Sequence, residues 1–99
     1  MGKNVSLTCK SRFCVASLPL KEKQELDLNL LAVLLRENGF KVRFDSEGLP
    51  KAVFVYLEGA TFIFFYSGRV NVFGSLGMRE LGENLNRVWL KAGKKSVVG

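Results

Sequence analysis

The chain has 99 residues, room for one small core and not for two. Apolar residues make up 47% and charged residues 24%, a balance that excludes a disordered chain. Lysine and arginine number 15 against 9 aspartates and glutamates, a formal net charge of +6, and there is no histidine. The commonest general base and the commonest metal ligand are therefore missing. Composition points away from an enzyme, a metal centre or a cofactor, and toward a binder of something anionic. One domain is expected over residues 1–99, with its core in about 4–92 and a basic tail over 93–99.

The first element is a strand. Over residues 4–13, Val5, Leu7, Cys9 and Phe13 alternate with Asn4, Ser6, Thr8, Lys10 and Arg12, the period of a strand with one buried face. The start also fits a myristoylation pattern and a glycosylation sequon, Asn4-Val5-Ser6, but the alternation reads better as strand. Residues 14–25 break the pattern at Pro19 and then carry Lys21-Glu22-Lys23-Gln24-Glu25, which reads as a connection with a helical turn. Along one strand Cys9 and Cys14 would lie roughly 17 Å apart, beyond the reach of a disulfide. Only a turn between them would allow a bridge, so two reduced thiols in a reducing compartment are expected. No apolar leader and no membrane-length apolar run is visible, so the expected location is intracellular (cytoplasm or nucleoid, or a nucleus), away from membranes.

A helix follows. Leu28, Leu31 and Leu35, with Leu30 and Leu34, recur at three and four, behind Asp27 as N-cap and ahead of Asn38-Gly39 as stop. Four strands come next. Lys41 to Asp45 alternates, and Ser46-Glu47-Gly48 turns. Residues 49–57 form a strand with Pro50 near its start, and Glu58-Gly59 turns again. Thr61 to Tyr66 and Arg69 to Phe73 are joined by Ser67-Gly68, a two-residue hairpin signal. A second helix runs from about Met78 to Ala92, with Leu81, Leu85, Val88 and Trp89 or Ala92 on one face and Trp89 packed at the helix–sheet seam. The order β-α-β-β-β-β-α predicts an α+β fold: a five-stranded, curved antiparallel sheet with two helices on one face.

Period two divides the strands between two faces. Val5, Leu7, Cys9, Val42, Phe44, Ala52, Phe54, Tyr56, Phe62, Phe64, Val70 and Val72 form the expected core face. The uncovered face is expected to carry Asn4, Ser6, Thr8, Lys10, Arg12, Lys41, Arg43, Asp45, Lys51, Val53, Val55, Leu57, Thr61, Ile63, Phe65, Arg69, Asn71 and Phe73. Six of the basic residues fall there against one aspartate, beside a strip of apolar side chains. A contiguous apolar patch is normally an interaction site, and buried lysine or arginine needs a partner. A ligand both anionic and flat-apolar, such as the DNA minor groove, satisfies both demands. A protein partner satisfies the apolar part equally well, and the pattern alone leaves the two open.

The residues also resemble one repeat of the TATA-binding protein family. Asn4-Val5-Ser6-Leu7-Thr8-Cys9 looks like the opening strand of a repeat, and Leu26-Asp27-Leu28 like the entry to its first helix. Leu49-Pro50 looks like the Phe-Pro that begins its third strand. Phe62 to Gly74, with Ser67-Gly68-Arg69 at its centre, looks like its long hairpin. The resemblance spans about residues 4–92. It implies a non-enzymatic, transcription-type module that binds and bends double-stranded DNA. Asn4 would read the groove, Leu49 and Phe65 would wedge a base step, and Arg69 would take a phosphate. Lys10, Arg12, Arg43 and Lys51 join as cations, and Ser6, Val53, Val55, Ile63, Asn71 and Phe73 as the surface against the groove. Ser6, Val55, Asn71 and Phe73 depart from the family pattern, as does a first connection about ten residues longer than usual.

One repeat is half of a saddle, and an open strand edge calls for a mate, so a homodimer is expected. The resemblance further implies protein partners of transcription-factor type on the helical face. An RNA–DNA hybrid, or a protein with no DNA at all, are the alternative ligands of the sheet. Catalysis has no candidate residues: Glu47 and Glu58 fall in turns, and Gly93-Lys94-Lys95-Ser96 lacks the spacing of a phosphate loop.

Overall fold

The computed structural model describes residues 5, 7–10, 13–93 and 98. The strands are β1 (Leu7–Cys9), β2 (Cys14–Ser17), β3 (Lys41–Asp45), β4 (Ala52–Leu57), β5 (Ala60–Phe65) and β6 (Arg69–Gly74). The helices are α1 (Leu28–Glu37) and α2 (Met78–Lys91). All six strands join one antiparallel sheet in the order β1-β2-β6-β5-β4-β3. The α+β class, the antiparallel sheet and both helices are as expected. The count of five strands is not.

The sixth strand comes from the start of the chain. The run read as one strand is not one, because Leu7, Thr8 and Cys9 pair antiparallel with Ala16, Val15 and Cys14 in a hairpin. The Lys10 N–H donates to the Phe13 carbonyl at 2.9 Å, which makes Lys10 and Phe13 a hydrogen-bonded pair. Cys9 and Cys14 are then the adjacent non-hydrogen-bonded pair, where side chains approach most closely. They form a disulfide. The expectation of two reduced thiols is thereby overturned, and the reducing compartment loses the argument it rested on. The strand that pairs with β6 is β2, whose residues read as part of the connection over 14–25.

Both helices form where the residues dictate. The Asp27 carboxylate accepts from the Leu30 N–H at 3.1 Å, and Gly39 takes the left-handed conformation (φ 87°) after Asn38. Leu28, Leu31, Ala32 and Leu35 of α1 and Leu81, Leu85, Val88 and Trp89 of α2 are buried. They join one core with Val53, Val55, Phe62, Phe64, Val70 and Val72 from the sheet. Two turns set the register of the long meander. Glu58-Gly59 is a two-residue turn that places Leu57 opposite Ala60. The next loop is three residues, Tyr66-Ser67-Gly68, with Gly68 N–H donating to Phe65 at 2.9 Å and Gly68 at φ 88°. That is a turn closed by a left-handed glycine, not the two-residue turn read from Ser67-Gly68.

Asn86 of α2 ties the first strand region to the helix layer. Its Oδ1 accepts from the Val5 N–H at 2.6 Å, and its Nδ2 donates to the Val5 carbonyl at 3.1 Å and to Gly82 at 2.8 Å. Asn86→Ala removes the side-chain partners of both the N–H and the carbonyl of buried Val5 and is expected to cost about 1–3 kcal/mol. The urea midpoint measures the loss, and faster amide exchange confined to β1 would locate it.

Candidate functional site

The register lays the uncovered face out in three rows. The first crosses Lys41, Tyr56, Thr61 and Phe73. The second crosses Arg43, Phe54, Ile63, Asn71, Val15 and Thr8. The third carries Asp45, Ala52 and Phe65, with Arg69 opposite Ser17 further along the sheet. Phe54, Tyr56, Ile63, Phe65 and Asn71 are half-buried, while Lys41, Arg43, Arg69 and Phe73 are exposed. The face is thus an aromatic and aliphatic strip with cations at both margins. Asp45 is the one carboxylate in these rows, and its Oδ1 is occupied by the Gly48 N–H at 3.0 Å and the Glu47 N–H at 3.3 Å.

Arg43 is the best-organised cation. Its guanidinium sits 4.2 Å above the Phe54 ring, a cation–π contact. Its Nε donates to the Tyr56 hydroxyl at 3.3 Å. The Phe54 and Tyr56 rings are themselves close to parallel, 15° apart with centroids at 6.4 Å. The hydroxyl of Tyr56 raises the pKa of Arg43 above its ordinary value, with a smaller upward pull from Asp45. At the opposite corner Phe13 and Phe73 meet at 6.1 Å, both exposed (37% and 40%). Near the middle, the Asn71 side-chain oxygen is buried with no hydrogen-bond partner among the described residues.

The expected site residues divide unevenly. Arg43, Ile63, Phe65, Arg69, Asn71 and Phe73 lie on the face as expected. Lys10 is exposed at the β1–β2 hairpin. Leu49 is fully exposed (100%) and Lys51 exposed, but β4 begins only at Ala52, so both belong to the loop after β3. The register sets Ala52 opposite both Asp45 and Phe65, so this loop and Phe65 share one end of the sheet. Asn4, Ser6 and Arg12 lie outside the described residues.

Val53 and Val55 are corrections. Both have no exposed surface and face the core, opposite Phe64 and Phe62. Leu57 also turns inward, while Phe54 and Tyr56, expected in the core, stand on the open face. β4 is apolar at every position, so its own pattern carries no phase. The turn carries it: a two-residue Glu58-Gly59 turn pairs odd positions of β4 with even positions of β5, which sets Val55 against Phe62. Phe13 moves to the open face for the same reason, because the hairpin reverses the alternation after Cys9.

Among the described residues, no cluster of cysteine, aspartate and glutamate is arranged to hold a metal, and no helix is long and apolar enough to cross a membrane. Comparison with protein-family models, curated proteins and solved structures finds no match to this chain.

Proposed function

We propose that this chain is a non-enzymatic nucleic-acid-binding module of TATA-binding-protein type that grips duplex DNA on the open face of its sheet. The observation that carries the reading is the face itself. A strip of Phe54, Tyr56, Ile63 and Phe65 lies between Lys41 and Arg43 on one side and Arg69 on the other, and neither helix covers it. Sugars and bases meet the strip while phosphates meet the cations. The element order from β2 onward, strand, helix, four strands, helix, agrees with the resemblance. With β2 as the opening strand, the connection to α1 is no longer extended. Val15 and Ser17 then take the positions on the face first given to Asn4 and Ser6. Leu49 and Phe65, at one end of the sheet, are the wedge pair. In this reading a second copy completes the saddle along the outer edge of β1.

Mobility shift or fluorescence anisotropy with a DNA duplex and an RNA–DNA hybrid tests the proposal. Four phosphate contacts, from Lys41, Arg43, Lys51 and Arg69, give an expected slope of about −3.5 in log affinity against log salt. Arg69→Ala flattens that slope by about one. Failure of both probes to bind at micromolar protein and about 50 mM salt overturns the proposal.

A protein partner is the second reading, and one observation favours it. The exposed Phe13–Phe73 pair adjoins a groove of about 410 Å³ lined by Cys9, Leu76, Met78 and Leu81, with no carboxylate and with Lys10 as its one charge among the described residues.

A further inference from the structure

We infer that the β3–β4 part of the open face holds an unpaired nucleotide, stacked on Tyr56 beside the Arg43–Phe54 pair with its phosphate on Arg43, so that the module binds single-stranded nucleic acid. The inference rests on the reading that this face takes nucleic acid, and it names a ligand that a wedge into a duplex does not require.

Three flat groups converge there. The guanidinium of Arg43 lies over the Phe54 ring, its Nε is held by the Tyr56 hydroxyl, and the two rings are within 15° of parallel. The arginine is therefore pre-organised rather than free to swing, which lowers the entropy lost when it binds. Its terminal nitrogens make no hydrogen bond among the described residues and are free for a phosphate. Both rings remain half-exposed on the open face.

The matching ligand needs a flat apolar body and an anion one nucleotide away. A paired duplex shows base edges in its grooves and hides base faces in its stack. Unpaired bases offer their faces to aromatic side chains without the cost of unstacking a duplex, and such stacking is worth about 1–3 kcal/mol per base with little sequence preference. The row continues from Phe54 to Ile63, an apolar step for a neighbouring base, and then to the Asn71 amide toward the centre of the sheet. Lys41, opposite Tyr56 on the adjoining strand, supplies a second cation at the same margin. An acidic peptide would satisfy the cations but has no use for the ring faces.

The test uses the whole chain with three labelled probes: short oligothymidylate, short oligouridylate and a DNA duplex. Binding of either single strand is expected, with Tyr56→Ala weakening it about tenfold or more and Tyr56→Phe, which keeps the ring and loses only the hydroxyl that holds Arg43, weakening it by less. Circular dichroism checks that both variants fold. Photocrosslinking with iodouracil-substituted oligonucleotide is expected to label Tyr56 or Phe54, which a merely structural role would not produce. Single-strand binding unchanged in Tyr56→Ala, or a crosslink on Phe65 or Phe73 instead, overturns the inference. Duplex binding with no single-strand binding overturns it while leaving the proposed function intact. Binding of no probe removes both.

Discussion

Val55→Lys is expected to abolish folding, whereas Phe54→Lys, one residue away, leaves the chain folded. Val55 has no exposed surface and stands in register between Val42 of β3 and Phe62 of β5, inside the core. A lysine there meets only apolar neighbours and no carboxylate. An uncompensated buried charge costs about 3–5 kcal/mol, a large part of the roughly 5–15 kcal/mol that stabilises a small domain. Phe54 faces solvent beside Arg43, so its replacement forfeits one cation–π contact and one aromatic neighbour, about 1–2 kcal/mol together. Urea denaturation followed by circular dichroism separates the two cases. A folded Val55→Lys variant with an unfolded Phe54→Lys variant would mean that β4 presents the opposite face, and the candidate site would dissolve with it.

Reversing three charges on the open face, Lys41→Glu with Arg43→Glu and Arg69→Glu, is expected to weaken nucleic-acid binding on the order of a thousandfold. Each lost charge-assisted contact is worth about 1.5 kcal/mol or more, and about 1.4 kcal/mol is a factor of ten. The three reversals also remove the whole formal net charge of +6, which by itself weakens attraction to any polyanion. A matched control separates the two effects. Arg36→Glu, Arg87→Glu and Lys91→Glu change net charge equally but are exposed on the helices. The control is expected to lose less than about tenfold, since long-range attraction is screened beyond about 10 Å at ordinary salt. Equal losses in the two triple variants would show that binding follows net charge and not the sheet face.

Most of the architecture was legible because it is written in local chemistry. The leucine spacing of α1, its Asp27 cap and its Gly39 stop need no distant partner to be read. β6 alternates cleanly, so Val70 and Val72 were assignable to the core and Arg69 and Asn71 to the outside, while β5 is apolar from Phe62 to Phe65 and takes its phase from Thr61 at its start. β4 was not legible by itself, because Ala52 to Leu57 is apolar throughout and a one-residue slip exchanges its faces. The information sat in the turn after it, where the parity of Glu58-Gly59 forces Val55 against Phe62. The first hairpin hid for a different reason. No Asn-Gly or Asp-Gly marks a turn after Lys10, so an alternating run of ten residues read as one strand.

The candidate site changed with those two elements. Phe54, Tyr56 and Val15 entered it, and Val53 and Val55 left. The aromatic rings redistributed accordingly, with Phe62 and Phe64 kept for the core and five rings, from Phe13, Phe54, Tyr56, Phe65 and Phe73, set on the open side. The pairing of Cys9 with Cys14 followed from the same hairpin, since a turn between them turns a five-residue separation into a cross-strand neighbour.

By itself the sequence determined the class of fold, the two helices, the paucity of catalytic groups and the excess of positive charge. Those follow from residue type and short-range spacing. Which side chains share the open face was decided only by the tertiary structure. Strand pairing fixes it, through turns that convert odd positions on one strand into even positions on the next. The stacking of Arg43 on Phe54 with Tyr56 is the clearest case, because three residues separated by a loop and a change of strand become one surface only when β3 and β4 pair in that register.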